Sequence, residues 1–327
     1  MEAKNIIVVG AGPAGMMAAI RAAGLSQRVV LIEKKPTPGN KLLLSGKGRC
    51  NLTNACDLDS FLKRFSRNGE FLRDAFAKFF NLELIDFFEK RSLRLKTERQ
   101  LRVFPESDES SGVLGVLKNE LRKNKVSVFY KSALKDICVQ DSKVRGIVLE
   151  DAKLIRADRL ILATGGASYS FTGSSGEVLD IARRLGHHIV ELSPGLVPLE
   201  VNGREPKSLE GLVLHNIRLK FGNGRKNIIS EIGELLFTGF GISGPLVLTL
   251  SWKIDEWLRQ GGKVWAEIDL KPALSEEQLD LRLLRDFGAN PRKTIKNALA
   301  LILPKRMIDI FIDRLGLSAD KKGSHVT

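Results

Sequence analysis

The sequence predicts an α/β fold that begins with a parallel strand–helix–strand unit. Three observations within residues 5–33 carry this prediction. An apolar run at 6–9 meets a glycine-rich turn, an Ala-rich apolar stretch follows at 14–23, and a second apolar run ends in Glu33. Glycines at the first strand–helix turn and an acid after the second strand form the dinucleotide-binding pattern of Rossmann-like folds.

The glycine-rich turn contains Gly10, Gly12 and Gly15, and each has a separate physical task. Gly10 permits the tight turn, Gly12 lets the backbone approach a pyrophosphate, and Gly15 lets the helix pack closely on the strand. The helix N-terminus presents unpaired N–H groups and a partial positive charge to the phosphates. Glu33 can accept hydrogen bonds from a ribose diol. We therefore expect this turn to bind a dinucleotide.

The bulk composition is that of an ordinary globular chain. It has 327 residues, 43% hydrophobic and 28% charged, which is enough for two or three domains. No apolar run reaches the roughly 18–20 residues of a membrane span. The first apolar stretch is a strand of the nucleotide fold and not a signal peptide. Cys50, Cys56 and Cys138 lack zinc spacing and fit a reducing compartment, so we expect a cytoplasmic protein.

The net charge is +14 and the isoelectric point is about 9.7. Such a charge attracts anions, including dinucleotides and nucleic acid. However, Lys and Arg are spread along the whole chain, only 6% of residues are aromatic, and no RNA-binding motif is found. Direct nucleic-acid binding is therefore the less favoured interpretation.

The region from 34 to 190 continues the nucleotide-binding domain. A Gly- and Lys-rich loop at 38–54 is followed by helices over 58–90, whose phenylalanines we expect to form a packed core face. The further elements predicted are a strand at 101–104, a helix at 110–123, a strand at 126–130, a meander at 134–139, 144–150 and 157–163, and a helix at 178–185. A meander in this position is typical of flavin-type nucleotide domains.

The sequence changes character after about residue 190. Short alternating runs at 196–201, 209–219, 227–232 and 264–270 predict an antiparallel barrel or sandwich, and a helix is expected from Pro245. Three more helices are predicted at 275–287, 292–301 and 305–315. The expected domains are therefore 1–190, 191–272 and 273–327.

Six motifs occur along the chain in order: Gly10–Gly15, Lys41–Asn54, Ala163–Tyr169, Thr172–Gly176, Leu196–Leu199 and Gly233–Pro245. Together they resemble the bacterial FAD-dependent oxidoreductases related to aminoacetone oxidase and to the flavin-dependent bile-acid dehydroxylation reductase. The resemblance covers essentially all 327 residues, and the stretch Ser45–Asn54 is highly specific for it.

This resemblance implies a Rossmann-like FAD/NAD(P)-binding domain with an inserted antiparallel β-barrel domain and a small helical domain. It also implies non-covalent FAD. The glycine turn would hold the pyrophosphate, Glu33 the adenosine ribose, and the loop at 41–51 the ribityl chain and isoalloxazine. The full set of implied cofactor-binding residues is Gly10, Gly12, Pro13, Ala14, Gly15, Glu33, Lys34, Lys41, Leu42, Ser45, Gly46, Gly48, Arg49, Cys50, Asn51, Leu134, Thr164, Gly165 and Gly166.

The implied activity is hydride transfer between NAD(P)H or an organic donor and an organic acceptor or O₂. Since the chain has no second GxGxxG, NAD(P)H would dock transiently, and the acceptor is expected to be a small molecule. The sequence identifies no catalytic acid or base, although Arg49, Cys50 and Tyr169 lie in the motifs. The oligomeric state is left open.

Two alternatives remain at this stage. One is a flavin-dependent RNA-modifying enzyme, which the charge of +14 suggests. The other is a weakly binding or inactive flavoprotein, because the family's usual C-terminal return to the sheet is not found in this chain. Two smaller departures are Gly239, where relatives usually have His, and Glu177-Val178, where Asp-Gly is more usual.

Overall fold

The computed structural model describes residues 3–322, without the side chains of Ser66 and Arg67. The chain divides into two compact units, Met1–Val190 and Glu191–Thr327. None of the helices within the described residues is long and apolar enough to cross a lipid bilayer.

The first unit contains ten strands and seven α-helices within its described part. The strands are β1 (Asn5–Val9), β2 (Arg28–Ile32), β3 (Thr53–Asn54), β4 (Leu95–Thr97), β5 (Arg102–Pro105), β6 (Ser127–Phe129), β7 (Leu134–Gln140), β8 (Lys143–Leu149), β9 (Leu154–Arg156) and β10 (Arg159–Leu162). The helices are α1 (Pro13–Gly24), α2 (Asn40–Leu44), α3 (Leu58–Leu62), α4 (Arg73–Phe76), α5 (Asn81–Glu89), α6 (Ser110–Lys123) and α7 (Glu177–Arg184).

A parallel sheet of four strands, in the order β10-β1-β2-β6, organises this unit. Val9 at the end of β1 is in register with Ile32 of β2 and with Leu162 of β10. The carboxyl ends of the three strands therefore lie at one edge of the sheet. The predicted α/β class with a Rossmann-like sheet is confirmed.

The two faces of the sheet are covered by different elements. Val8 and Leu31 are fully buried in one core cluster that also contains residues of α1 and α6. Their neighbours Ile7 and Ile32 point the other way, into a cluster formed with the meander β7-β8-β9 and α7. This alternation follows from the two-residue period of a strand, and burial on both faces explains the nearly continuous apolar runs of β1 and β2.

Helix α6 shows why the apolar pattern of the sequence predicts this helix correctly. Val113, Leu117 and Leu121 recur every four residues and are 0–3% exposed, so they form one buried stripe. The helix ends where Lys125 adopts a left-handed φ of +55°, and the N–H of Val126 bonds back to the carbonyl of Leu121. The predicted and observed bounds of this helix coincide.

Two local expectations for the first unit were wrong. The run predicted as one strand at 157–163 is β10 of the parallel sheet, and the third strand of the meander is the short β9 before it. The helical region at 58–90 is interrupted by a 3-10 segment, Ser66–Leu72. Its phenylalanines do not all face a core, because Phe71 is 88% exposed.

The second unit is an antiparallel sheet with helices. Its strands are β11 (Leu199–Glu200), β12 (Val213–Gly222), β13 (Asn227–Ile229), β14 (Gly233–Thr238), β15 (Gly241–Ser243) and β16 (Trp265–Asp269). Its helices are α8 (Glu205–Ser208), α9 (Pro245–Arg259), α10 (Glu276–Gly288), α11 (Ile295–Leu299) and α12 (Lys305–Arg314). The sheet runs β11-β15-β14-β12-β13, and β16 also pairs with β12.

Strand β12 connects the two parts of this sheet. Its first half pairs with β14 and its second half pairs with β13 and β16, and the register shifts between Leu214 and Ile217. The core beneath it contains Leu219, Leu235 and Val247, all fully buried, together with Met307 of α12. The separation of this unit into a barrel domain at 191–272 and a helical domain at 273–327 stays a prediction.

Candidate cofactor site

A cavity of about 330 Å³ lies at the carboxyl ends of β1, β2 and β10, where α1 begins. Val9, Ile32 and Ala163 mark these strand ends in its wall. Open α/β sheets bind their ligands at this position. The predicted site residues that line the cavity are Gly10, Gly12, Pro13, Ala14, Glu33, Lys34, Lys41, Leu134, Thr164 and Gly165.

The glycine turn is shaped by contacts that a side chain would block. Gly10 has a φ of +100°, and a Cβ there would lie 2.5 Å from the carbonyl oxygen of Ala163. A Cβ on Gly15 would lie 1.8 Å from the carbonyl oxygen of Gly10. Gly12 differs, because a Cβ there would have no protein atom within 4 Å. The chain itself thus requires the absence of a side chain at Gly10 and Gly15, but not at Gly12.

Gly12 is also the N-cap residue of α1 and supplies no side-chain cap. Pro13 occupies the first turn, where its missing N–H and fixed φ are tolerated. The helix N-terminus therefore directs its partial positive charge into the cavity with no side chain in front of it. Such a terminus is suited to an anionic group like a pyrophosphate.

Glu33 is the buried acid of the site, with 9% of its surface exposed. One carboxylate oxygen accepts the N–H of Ala11 and the other accepts the N–H of Lys35, both at 2.8 Å. These bonds fix the carboxylate between the glycine turn and the end of β2. Each oxygen keeps a further lone pair. Glu33 can therefore still accept a hydrogen bond from the hydroxyl of a ligand in the cavity.

Two lysines link the walls of the cavity. The ammonium of Lys34 donates to Ser175 Oγ at 2.8 Å and to Glu177 Oε2 at 3.0 Å. Hydrogen bonds to the carboxylate of Glu177, first from Ser175 and then from Lys34, hold the pKa of Glu177 below its ordinary value. Lys41 donates to the carbonyl oxygen of Ser168 at 2.6 Å. The segment 168–177 is thereby tied to Lys34, which follows β2, and to Lys41 of α2.

The structure does not bring every predicted residue to the cavity. Those outside its lining are Gly15, Leu42, Ser45, Gly46, Gly48, Arg49, Cys50, Asn51 and Gly166. Several of them lie in a tight loop in which Lys47 and Cys50 adopt left-handed φ values of +59° and +61°. Their role toward a cofactor stays a prediction.

Arg49 is held by carboxylates outside the cavity. Its guanidinium hydrogen-bonds to Glu98 and, at 2.7 Å, to Asp108, and lies 4.1 Å from the ring centroid of Phe104. Lys96 and then Arg49 hold the pKa of Asp108 below its ordinary value by hydrogen bonding. The guanidinium therefore completes a surface charge cluster.

The other two candidates for chemistry are also outside the cavity lining. Cys50 is buried, and burial raises the pKa of its thiol despite a hydrogen bond with Ser45 that lowers it. Tyr169 is 63% exposed, with a left-handed φ of +53° and its ring 6.0 Å from that of Phe171. The geometry assigns an acid–base role to neither residue. Within residues 3–322, no cluster of His, Cys, Asp and Glu suits a metal ion.

The cavity also contains residues that the site prediction missed. Ser132, Ala133 and the run from Thr172 to Val178 line it. The signal for this run was present in the sequence, because Gly173 and Gly176 stand in the four residues before α7. In the structure both glycines adopt positive φ values. What the local sequence could not show was that this loop lies against Lys34.

A strand–glycine turn–helix cavity with a buried acid defines the class of dinucleotide-binding Rossmann-like proteins. Residues 4–271 match the family described as HI0933-like protein Rossmann domain. The chain belongs to this family, and it is an enzyme of the FAD-dependent oxidoreductase class.

The curated relatives differ in the substrates their names state. The chain is 31% identical over 307 residues to the 3-dehydro-bile acid delta(4,6)-reductase of Clostridium scindens, covering 93% of this chain and 73% of that protein. It is 29% identical over 316 residues to the ribosomal RNA dihydrouridine synthase of Escherichia coli, covering 94% and 73%. A solved flavocytochrome c3 fumarate reductase matches with a TM-score of 0.47 and 19% identity, over 66% of this chain and 47% of that one.

The cavity fits the ADP part of FAD, the cofactor that the family implies. The space in front of Gly12 is empty of protein atoms, and it lies at an uncapped helix N-terminus beside a fixed carboxylate. A diphosphate matches the helix terminus and a ribose hydroxyl matches the carboxylate.

Proposed function

We propose that this enzyme passes a hydride between NAD(P)H or an organic donor and an organic acceptor or O₂, with non-covalently bound FAD as its cofactor. The observation that carries the proposal is the open space at Gly12, where the absence of a side chain serves no packing contact within the described chain. Unlike other glycines with open space, Gly12 lies in the cavity wall at the N-terminus of α1, where a ligand can approach the backbone.

In this proposal each part of the cavity has a stated task. The turn from Gly10 to Gly15 binds the diphosphate, Glu33 accepts a ribose hydroxyl, and Leu134, Thr164 and Gly165 enclose the adenosine side. Lys34 and Lys41 hold the segment 168–177 in place over the cavity. FAD supplies the hydride chemistry, and the protein supplies binding, orientation and exclusion of water.

Replacing Gly12 by Ala tests the cofactor assignment. The backbone at Gly12 has a φ of −74° and a ψ of 176°, which Ala adopts without strain, so the fold should not change. We expect FAD affinity to fall by about ten-fold or more, which corresponds to about 1.4 kcal/mol. The measurement is a flavin fluorescence titration of the apoprotein.

The matched control is Gly115→Ala, because Gly115 lies in α6, away from the cavity, and also has open space at its Cβ position. This variant should bind FAD as the unmodified chain does. Equal FAD affinity for the Gly12 and Gly115 variants, at equal thermal midpoints, would remove the glycine turn from the site.

The electron donor is tested separately by anaerobic spectroscopy of the FAD-reconstituted protein. Addition of NADH or NADPH should bleach the oxidised-flavin absorbance. A protein that binds FAD but is reduced by neither nucleotide would refute the nicotinamide donor and leave the flavoprotein assignment intact. A protein that stays colourless after reconstitution would refute both.

A second candidate is a flavin-dependent enzyme that modifies RNA. Two observations favour it, namely the net charge of +14 and the 29% identity to a protein named ribosomal RNA dihydrouridine synthase. The test is an electrophoretic shift of a ribosomal RNA fragment at low salt, where phosphate contacts are strongest. Absence of any shift would eliminate this candidate.

A further inference from the structure

A second depression lies apart from the cofactor cavity, on the open edge of the parallel sheet. Strand β6 is the last strand of that sheet. Beside it is a space of about 350 Å³, lined by Lys118, Leu121, Arg122, Lys125, Val126, Val128 and Tyr130. We call this the β6-edge site. It shares no lining residue with the cofactor cavity.

The β6-edge site contains three cations without a carboxylate partner. Lys118, Arg122 and Lys125 are exposed, lie along one side of α6 and its C-terminal turn, and form no ion pair in the described chain. Arg122 makes only a 3.3 Å hydrogen bond to Asn119. The nearest acid in the helix, Glu120, is occupied on another face by Arg91 and Lys123.

One aromatic ring accompanies these cations. Tyr130 lines the same depression and is 39% exposed. Burial, and to a lesser degree the charge of Glu33, raise the pKa of Tyr130.

An exposed ring next to unpaired cations has the chemistry that single-stranded nucleic acids need. A base stacks on a ring, and phosphates bind Lys and Arg in a manner largely independent of sequence. An apolar partner would not use three uncompensated cations, and a simple anion would not use the ring. Charge complementarity and the exposed ring together therefore favour a single-stranded nucleic acid.

We propose that the β6-edge site binds single-stranded RNA, with phosphates on Lys118, Arg122 and Lys125 and a base on Tyr130. This inference rests on the second function proposed above, and it names the surface that would hold the RNA substrate. Because the two cavities are separate, FAD and RNA can be bound together.

The test uses the FAD-reconstituted full chain and a fluorescein-labelled 12-nucleotide single-stranded RNA, followed by fluorescence anisotropy. The triple variant Lys118→Gln, Arg122→Gln, Lys125→Gln should bind at least about ten-fold more weakly. For this variant the slope of log K against log salt concentration should be shallower by about 2, because each of the three lost phosphate contacts removes about 0.7 from that slope.

The matched control changes the net charge equally at another surface. The variant Lys63→Gln, Arg64→Gln, Lys78→Gln removes three exposed cations that lie outside the β6-edge site. Its RNA affinity should stay within about two-fold of that of the unmodified chain, a loss that reflects only the lower net charge. Flavin absorbance and thermal midpoint of both triple variants establish that they are folded.

Stacking is tested by a pair of variants at Tyr130. Tyr130→Ala should weaken RNA binding about ten-fold, whereas Tyr130→Phe should retain it, because the ring and not the hydroxyl makes the contact. Equal loss in both variants would contradict a stacking role.

The outcomes separate this inference from the function on which it rests. If the unmodified chain binds RNA and the β6-edge triple variant binds equally well, the inference fails and the RNA function stands. If the unmodified chain binds no RNA at 50 mM salt, a concentration at which phosphate contacts dominate, both fail. If the triple variant loses binding to anionic phospholipid vesicles but not to RNA, the surface is a membrane contact and the inference is overturned.

Discussion

At the residue scale, the first glycine turn shows two distinct reasons for lacking a side chain. At Gly15 the protein excludes a Cβ, because the carbonyl oxygen of Gly10 lies 1.8 Å from its position. At Gly12 the protein leaves the space open. A sequence motif presents both residues as equivalent glycines, but the same substitution should damage folding at one and ligand binding at the other.

The Gly15→Ala variant should therefore lose stability with or without FAD. We expect a cost of about 1–3 kcal/mol, the range for overpacking, because the clash is with backbone that cannot rotate away. Urea denaturation of the apoprotein measures this loss in the free energy of unfolding. Gly12→Ala is the control, because it makes the same substitution where the structure leaves space for a Cβ. A Gly15→Ala variant as stable as Gly12→Ala would show that α1 can shift away from β1.

At the scale of elements, helix α6 performs two structural tasks on different faces. Its apolar stripe covers the parallel sheet. On another side, Glu120 is 6% exposed and pairs with Arg91, whose guanidinium also lies 3.8 Å from the ring centroid of Phe87. Through this pair α6 is fixed to the end of α5.

The carboxylate of Glu120 gives this contact a pH dependence. Burial raises the pKa of Glu120, but hydrogen bonds from Arg91 and Lys123 outweigh burial and hold the pKa below its ordinary 4.5. A carboxyl group whose pKa is lowered by folding stabilises the protein above its unfolded pKa and loses that contribution as the pH falls through the folded pKa.

The variant Glu120→Gln should accordingly be less stable at neutral pH, by about 1–3 kcal/mol, the range for a hydrogen bond to a charged group. Near pH 3 the difference in stability between the variant and the unmodified chain should shrink, because Glu120 becomes protonated there. Urea midpoints at the two pH values measure this. The control is Glu106→Gln, because Glu106 is exposed and its carboxylate forms no ion pair within residues 3–322. A difference that is independent of pH would assign the effect to packing.

At the scale of the whole molecule, the residues that line the cofactor cavity all lie within the unit Met1–Val190. A ligand that binds only the folded state stabilises the part of the chain that must be folded to bind it. FAD binding should therefore act first on this unit.

We expect FAD to slow amide hydrogen exchange in the loops that form the cavity, namely 10–15, 33–41, 164–166 and 172–178. At a free FAD concentration of about 100 times Kd, the stabilisation amounts to about 2.7 kcal/mol. Mass spectrometry of exchange with and without FAD measures it peptide by peptide. Unchanged exchange in all of these loops would mean that FAD binds elsewhere.

The predictable parts of this protein are those with a local physical cause. The strand–turn–helix start and the bounds of α6 follow from the period of apolar residues and from glycines at fixed positions. The helix predicted at 275–287 likewise has a local cause, because Ser275 and Gln278 form a capping box at the start of α10. The short β9 was missed because three residues give no measurable period.

The sequence by itself determined the α/β class, the nucleotide-binding turn and membership of a flavoprotein family, because each depends on residues close together in the chain. Only the tertiary structure decided which distant groups meet. Lys34 reaches Ser175 across 141 positions, and Arg49 reaches Asp108 across 59 and so lies with carboxylates and not in the cavity. Such contacts depend on how sheet, helix and loop pack, and this packing leaves no periodic signal in the sequence.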